Sequence, residues 1–392
     1  MLQKSSGKEI LMKLTEQELE WVKITCERIV HKMTVSIHKN EGKIPYSTDV
    51  HGVFDDKSAD KNLMYWTNGF WEGILWLMYA KTGASYYYEL ENRMETVLDR
   101  ILLGQNDYGI DPLHHDVGFM WLLSSVANYR LTGNGKGRTR GIIAANYLSS
   151  RFNIKGSYLV AWNGENHQGW SIIDTMMNIP LLYWAAQETG YDRYRYIAMA
   201  HADKTLENVI RPDGSVIHII NYDPETGEVL GSFGGQGYEE GSSWTRGQAW
   251  AIYGFALSYR HTEEQRYLDA AKKAAHYFLS ASAEFDYIPP VDFRSPREPH
   301  YIDTTAGAIA ACGLLEIERY VPEYEKAMYQ SGALKLLKAL TEQQCDFTDK
   351  VDSILQNGSE AYHTNKHLSI IYGDYYYMEA MFRLSGLEVE MW

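Results

Sequence analysis

Residues 69–80 read GFWEGILWLMYA, a stretch with a single charged side chain, and the tetrapeptide AKTG follows at 80–83. A helix with this composition is apolar on every face, so it must be buried. Gly83 then stands just past the last turn, where glycine adopts the left-handed conformation that ends helices. The stretch therefore predicts a buried helix over 66–82.

A second kind of segment alternates with the first. Residues 267–279 read YLDAAKKAAHYFL, which places charged side chains on one face of a helix and apolar ones on the other. Striped helices of this kind lie outside buried ones. The glycine stop recurs as RLTG, QETG and RLSG at Gly133, Gly190 and Gly386. Helical periodicity predicts twelve segments, at 15–38, 66–82, 86–104, 116–132, 136–151, 171–189, 192–210, 245–261, 264–281, 304–321, 326–345 and 372–385.

Six hairpins of inner and outer helices predict an all-α fold, an (α/α)6 barrel. No stretch of low complexity or of Pro, Gly and Ser bias divides the chain, so we expect one domain over residues 1–392. The alternative is a two-domain helical bundle. Residues 214–230 alternate around the turn sequence DPETG and predict a minor β excursion in a loop at the rim.

Composition excludes several classes of protein. With 37 Lys and Arg against 51 Asp and Glu, the net charge of −14 argues against nucleic-acid binding. The longest apolar run, 306–315, is too short to span a membrane, and the N-terminus does not read as a secretory signal. The three cysteines are scattered, which argues against disulfides and structural zinc. We expect a cytoplasmic protein, either a monomer or a weak homodimer.

Aromatic residues make up 13% of the chain, more than a core usually needs, which suggests a cleft lined by flat apolar faces as in sugar sites. All inner helices of an α/α barrel run the same way, so their N-terminal ends meet at one mouth. Chemically versatile residues stand at these ends: Trp66, Trp71, His114, His115, Asp116, Asp174, Trp244, Arg246, Trp250, Asp303 and Asp374. For Asp303 and Asp374 the alternative is helix capping.

Asp116 and Asp174 are the candidate catalytic residues because their surroundings differ. Asp174 lies between Ser-Ile-Ile and Thr-Met-Met, so we expect desolvation to raise its pKa and keep it protonated. Asp116 follows two histidines and should stay ionised. Two carboxyls in different environments commonly divide the acid and base roles of an enzyme.

His114 and His115 could suggest a metal. Adjacent residues on a helix diverge by about 100°, so the two rings would not readily share an ion. No HExxH spacing occurs either. We expect no metal and no cofactor. We expect His115 to form a hydrogen bond with the substrate and His114 to be a structural residue.

Arg246 stands between Trp244 and Trp250 in the sequence WTRGQAW. A guanidinium is a fixed fork suited to carboxylates, and the tryptophans offer stacking faces. In a chain of net charge −14 this pattern indicates an anionic ligand. The alternative is an ion pair with a nearby acid such as Glu239 or Glu240.

Six motifs carry a resemblance to a known family. They are YWTNGFW, HHDVGF, IIDTMMNIPLL, GSSWTRGQAWAIYGFA, ACGLLEI and YGDYYY, starting at residues 65, 114, 172, 241, 311 and 372. In this order they resemble the unsaturated glucuronyl hydrolases, glycoside hydrolase family 88, from about residue 45 to residue 386. Members of that family fold as (α/α)6 barrels.

The resemblance implies an enzyme that acts on an unsaturated uronic-acid oligosaccharide. It would release 4-deoxy-L-threo-hex-4-enuronate from the non-reducing end of lyase-made glycosaminoglycan disaccharides by hydrating the C4=C5 enol ether. An acid protonates C4, water adds at C5, and the hemiketal collapses. The resemblance implies that Asp174 is the acid and that Asp116 holds ring hydroxyls. It implies substrate contacts at Trp66, His115, Trp162, His218, Gln236, Trp244, Arg246, Trp250 and Tyr362.

Substrate preference does not carry over from the family. The segment between Tyr362 and Tyr372 is shorter than in members that act on bacterial exopolysaccharide fragments, and Gly235 stands where some members have His. Lys366, inside this segment, is our hypothesis for a sulfate-reading residue; the alternative is a solvated loop lysine. Other functions left open are an unsaturated rhamnogalacturonyl hydrolase, a sugar epimerase and a non-catalytic sugar-binding toroid, the last two disfavoured by the retained carboxyl pair.

Overall fold

The computed structural model describes residues 14–392 and shows the predicted all-α ring. The inner helices are α2 (Asn68–Thr82), α4 and α5 (Val117–Trp121 and Ala127–Thr132, joined by a π turn), α7 (Pro180–Thr189), α9 (Thr245–Thr262), α11 (Thr304–Glu318) and α13 (Ile371–Leu384). The outer helices are α1 (Glu16–Lys39), α3 (Ser85–Leu102), α6 (Gly135–Ser150), α8 (Arg193–Asn208), α10 (Gln265–Ala283) and α12 (Glu323–Gln343). Each inner helix packs on the next, and α13 packs on α2 to close the ring. The (α/α)6 prediction is confirmed.

The two kinds of segment are buried as their composition predicts. Every residue of α11 is buried, whereas α10 buries only the stripe that faces its neighbours. Gly83, Gly133 and Gly190 end α2, α5 and α7 at φ of 71°, 75° and 70°, which confirms three of the stop signals. Gly386 also has positive φ but lies one residue beyond the C-cap of α13.

The predicted helix over 171–189 is wrong in its first half. Residues 170–172 form a strand, β3 (Trp170–Ile172), and a 3-10 turn follows at Ile173–Met177. The α-helix begins only at Pro180, whose ring lacks an N–H and favours the first helical position. Asp174 therefore lies on a tight turn rather than on a helix.

The predicted β excursion is confirmed as a hairpin and belongs to a larger sheet. Strands β4 (Ile219–Tyr222) and β5 (Val229–Phe233) pair antiparallel, and β3 pairs with β4 on the other side. A further two-stranded ribbon joins β1 (Phe152–Asn153) to β2 (Tyr158–Leu159). The three-stranded sheet matters because the Ile173 N–H donates to the His218 carbonyl, 3.1 Å away. That bond places His218 beside Asp174.

Among the described residues, the main hydrophobic cluster extends from Val22 to Trp392, and a small second one joins Ala161, Ile172 and Ile219. At the centre of the main cluster the Phe119 ring packs 5.2 Å from Trp66, 5.2 Å from Trp250 and 5.9 Å from Trp392. The aromatic residues thus connect the mouth of the ring to its opposite end. The single-domain organisation stays a prediction.

One carboxyl is buried inside this core without a partner. Glu72, the charged residue in the apolar stretch 69–80, is fully buried. Neither of its carboxyl oxygens accepts a hydrogen bond from residues 14–392. Burial raises the pKa of Glu72 from 4.5 to about 8. Glu72 is therefore protonated at neutral pH.

Replacing Glu72 by Gln should make the free energy of unfolding less sensitive to alkali. The folded-state pKa lies above the unfolded one, so the wild type loses stability as pH rises from 4.5 through about 8. One pKa unit is worth about 1.4 kcal/mol, so the loss over the whole window is on the order of 5 kcal/mol, of which about 3 kcal/mol falls between pH 6 and pH 8. Urea unfolding at about pH 6 and about pH 9 measures that part. Glu20→Gln, at an exposed site on α1, is the control and should follow the wild type. A Glu72→Gln variant with unchanged pH dependence would contradict the assignment.

Candidate active site

The candidate catalytic carboxyls lie on neighbouring inner segments and are joined by one side chain. The Asn178 amide donates to Asp116 Oδ1 (3.0 Å) and to the Asp174 carbonyl (3.1 Å). Its own oxygen accepts from the Phe119 N–H at 2.8 Å. Asn178 thereby fixes the start of α4 against the turn that carries Asp174.

Sequence reasoning missed Asn178, although the spacing of four residues after Asp174 was a usable signal. Gly118 is the reason that the two segments can approach so closely. A Cβ at position 118 would lie 2.4 Å from the Asn178 Cα. The glycine in HHDVGF is thus required by packing.

Asp116 is held as an anion. Burial alone would raise its pKa, but His115 Nε2 lies 3.0 Å from Oδ1 and His114 Nδ1 lies 3.4 Å from Oδ2. Together with the Asn178 amide they bring the pKa of Asp116 below its ordinary value. The carboxylate is nine-tenths buried and remains charged at neutral pH.

Asp174 has a different environment. Its side chain is 11% exposed, and its Oδ2 forms no hydrogen bond with any described residue. Ile173, Met176 and Met177 beside it are fully buried. His218 Nε2 lies 3.6 Å from Oδ2, beyond hydrogen-bond distance.

His218 is oriented by the loop that follows β5. The Gln236 N–H donates to His218 Nδ1 at 3.0 Å. The Gly234 carbonyl lies 3.1 Å from the same nitrogen, so Nδ1 contacts both a donor and an acceptor on this loop. The other ring nitrogen, Nε2, lies toward Asp174, and the ring packs at a tilt against Trp244 with the centroids 4.2 Å apart.

The four tryptophans predicted to contact the sugar differ in their exposure. Trp66 and Trp162 are half-buried at the mouth, whereas Trp244 and Trp250 are 2% and 0% exposed. Trp66 stacks on the buried ring of Tyr372, 5.1 Å away, a contact that sequence reasoning missed. Direct contact between a sugar and each of these tryptophans stays a prediction.

Arg246 has an acidic partner, but not the one considered. The guanidinium pairs with Asp303, not with Glu239 or Glu240, because the chain brings the start of α11 beside the start of α9. Arg246 is 1% exposed and also donates to the carbonyls of Ser359 and Glu360. The contact with a uronate stays a prediction.

The two aspartates considered as caps behave differently. Asp303 accepts from the Thr305 N–H at 3.2 Å and does cap α11. Asp374 does not cap α13; it accepts instead from the N–H groups of Ile354 and Leu355. Burial raises the pKa of Asp374 to about 7.

The segment 359–366 forms one wall beside Arg246. Gln236 donates from its side chain to the Glu360 carbonyl at 2.6 Å, and the Tyr362 N–H donates to the Gln236 carbonyl at 2.9 Å. Lys366 is half exposed, with Nζ 3.2 Å from the Glu360 carboxylate. The predicted residues Gln236, Arg246, Tyr362 and Lys366 are therefore brought together.

The argument against a metal at His114 and His115 used helix geometry, and that geometry is wrong. Both residues precede α4, which begins at Val117. One ligand atom from each of His114, His115 and Asp116 lies within 4.8 Å of the others.

The chain is similar in sequence to one family of known proteins. The sequence profile of Glycosyl Hydrolase Family 88 matches residues 36–381. The chain belongs to glycosyl hydrolase family 88. The match spans most of the ring and includes all the carboxyls and tryptophans of the mouth.

Family 88 relatives are similar over most of their length. The unsaturated glucuronyl hydrolase of Bacillus sp. (strain GL1) is 38% identical over 331 residues, 81% of this chain and 86% of the relative. The unsaturated chondroitin disaccharide hydrolase of Streptococcus pneumoniae is 33% identical over 385 residues, 95% and 96% of the two chains. The structure of unsaturated glucuronyl hydrolase from Streptococcus agalactiae superposes with a TM-score of 0.87 at 31% identity, covering 97% and 94%.

As a family 88 member, the chain is a glycoside hydrolase. The predicted family, enzyme class and barrel are confirmed. Among residues 14–392, no helix is long and apolar enough to cross a membrane. The roles of the individual site residues stay predictions.

Proposed function

We propose that this chain hydrolyses lyase-made unsaturated glycosaminoglycan disaccharides and releases the 4-deoxy-L-threo-hex-4-enuronate residue. The observation that carries the proposal is the pair of unlike carboxyls: Asp116 is charged and accepts from the Asn178 amide beside two histidines, whereas Asp174 Oδ2 accepts no hydrogen bond from any described residue. Relatives are named for unsaturated chondroitin disaccharides, and one solved relative is described in complex with dGlcA-GalNAc6S.

Asp174 is assigned the proton transfer. Its free Oδ2 can carry a proton to C4 of the enol ether, because no other described group holds that oxygen. Positive charge then develops at C5 and the adjacent ring oxygen, as in other glycosidases. The resulting Asp174 carboxylate takes a proton from the water that adds at C5. His218 Nε2 lies 3.6 Å from Oδ2 and is the side-chain nitrogen placed to interact with that carboxylate.

Asp116 is assigned the binding of ring hydroxyls. An ionised carboxylate accepts strong hydrogen bonds from hydroxyl donors. Asn178 fixes its orientation, so the hydroxyls would be positioned before the proton moves. The hemiketal formed at C5 then opens and frees the neighbouring sugar.

The test uses unsaturated chondroitin and hyaluronan disaccharides as substrates. Loss of the absorbance of the conjugated double bond reports hydration directly. We expect the absorbance to fall with the wild type on these substrates. Activity restricted to unsaturated pectin fragments would favour the rhamnogalacturonyl hydrolase. Absence of activity on every unsaturated substrate would overturn the proposed hydration and favour the epimerase or the non-catalytic sugar-binding protein.

We further propose that the protein acts in the cytoplasm as a monomer or weak homodimer. Cys26, Cys312 and Cys345 are all free thiols, which fits a reducing compartment. Light scattering of the purified protein across a concentration series tests the assembly. A stable oligomer at low concentration would contradict it.

Lys366→Ala should weaken turnover of a sulfated disaccharide more than that of its unsulfated counterpart. The ammonium is half exposed and its Glu360 partner can be exchanged for a sulfate. Loss of an exposed charge contact is worth about 1 kcal/mol, so KM for the sulfated substrate should rise roughly fivefold. Lys136→Ala, at an exposed site on α6, is the control. An equal loss on both substrates would remove the sulfate role.

A further inference from the structure

Three potential metal ligands converge at the start of α4. His115 Nε2 lies 3.0 Å from Asp116 Oδ1, and His114 Nδ1 lies 3.4 Å from Asp116 Oδ2. Neither ring nitrogen forms a hydrogen bond with the rest of the described chain, although both atoms are buried. Two nitrogens and a carboxylate thus face one another, and a cation at their centre would complete the cluster.

The ring of His115 is held with its free nitrogen toward the carboxylate. Its Nδ1 lies 2.6 Å from the Ala161 carbonyl, which can only accept, so the proton sits on Nδ1. The other ring nitrogen, Nε2, lies 3.0 Å from Asp116 Oδ1 and has no other partner among the described residues. A histidine that binds a metal through one nitrogen commonly donates its other N–H to a carbonyl in this way.

The other two candidate ligands are Asp116 and His114. Asn178 donates to Asp116 Oδ1 and fixes the carboxylate. His114 Nδ1 is buried and forms no hydrogen bond with any described residue, so it is not committed to another partner.

The spacing suits a tetrahedral ion. Zinc binds nitrogen and oxygen at about 2.0–2.2 Å, so two ligands of one tetrahedral zinc lie about 3.3 Å apart. The distance of 3.0 Å from His115 Nε2 to Asp116 Oδ1 is close to that separation, and one ligand atom from each of the three residues lies within 4.8 Å of the others. Two imidazoles and one carboxylate form a ligand set that favours zinc, and the fourth position is left for water.

We propose that His114, His115 and Asp116 bind a divalent transition-metal ion of the zinc class, and that this ion excludes the sugar substrate. The exclusion rests on the proposed function, in which Asp116 holds ring hydroxyls. The binding itself does not, because it depends only on the three ligands and their supporting contacts.

Metal binding is tested on the intact chain with Co²⁺, whose visible absorbance reports tetrahedral coordination, and with Zn²⁺ by calorimetry. We expect one tight ion per chain. His114→Gln should weaken binding about tenfold or more, and His38→Gln, an exposed histidine on α1, should not. Absence of a tight ion, or equal affinity in the wild type and His114→Gln, would overturn the site.

Exclusion of substrate is tested by adding Zn²⁺ to the disaccharide assay. We expect KM to rise with Zn²⁺ while kcat is unchanged, and His114→Gln to need about tenfold more Zn²⁺ for the same effect. Binding without competitive inhibition would overturn the exclusion. If the protein showed no activity on any disaccharide, the proposed function would fail. The Co²⁺ spectrum would still decide whether the metal site exists.

Discussion

Asp174→Asn should lower kcat on an unsaturated chondroitin disaccharide by about two to four orders of magnitude. The carboxamide has nearly the same shape as the carboxyl but cannot deliver a proton to C4. KM should change little, because the substitution leaves Asp116 and its partners in place. The measurement is the rate of loss of the double-bond absorbance at several substrate concentrations.

A loss confined to kcat separates proton transfer from a packing role. Asp174 lies on a turn held by the Asn178 amide through its backbone carbonyl, and Asn at 174 keeps that bond. The thermal midpoint should therefore stay close to the wild type. Asp192→Asn, at an exposed position before α8, is the matched control and should retain full activity. Retention of more than about a tenth of kcat by Asp174→Asn would contradict its role as the acid.

The ring was predictable because its signals are local. An apolar stretch such as 69–80 must be buried whatever surrounds it, and glycines at the helix ends supply positive φ at low cost. The alternation of two helix types then leaves few ways to bury six apolar helices at once. Convergence of the helix starts at one mouth followed from the same reasoning.

The contacts inside the mouth were not predictable in the same way. The Arg246 partner, Asp303, is 57 residues away, and the pairing depends on how α9 and α11 pack. Asp374 looked like a cap but accepts bonds from the chain at Ile354 and Leu355, about 20 residues earlier. Contacts of this kind are set by tertiary packing, which periodicity does not report.

The rule used against a shared metal failed for a related reason. It assumed that His114 and His115 lie on a helix, where adjacent side chains diverge. The helix begins at Val117, three residues after His114, and the predicted helix 116–132 also left both histidines outside. A rule for adjacent residues on a helix was thus applied to residues that precede one.

Asp303→Asn should reduce the free energy of unfolding by about 3–5 kcal/mol. The Arg246 and Asp303 side chains are 1% and 0% exposed, so the substitution leaves a guanidinium charge buried without a counter-charge. Asn can still cap α11 through its carbonyl oxygen, so the loss reports the ion pair rather than the cap. Urea unfolding near neutral pH measures the difference.

The same substitution should also raise KM. Arg246 holds the carbonyls of Ser359 and Glu360, and that segment leads to Tyr362. A displaced guanidinium would loosen this wall of the mouth without removing the Asp174 acid. KM should therefore rise more than kcat falls, the opposite of the Asp174→Asn result.

Asp213→Asn provides the matched control, because Asp213 pairs with Arg294 at the surface, where both side chains are at least one-third exposed. Exposed pairs contribute about 0–1 kcal/mol, so this variant should remain near the wild type. Equal destabilisation of the two variants would contradict the importance of burial. A double variant, Arg246→Met with Asp303→Leu, removes both charges and should recover part of the stability. It should not recover KM, because the Ser359 carbonyl would lose its guanidinium donor and the Glu360 carbonyl would keep only the Gln236 side chain.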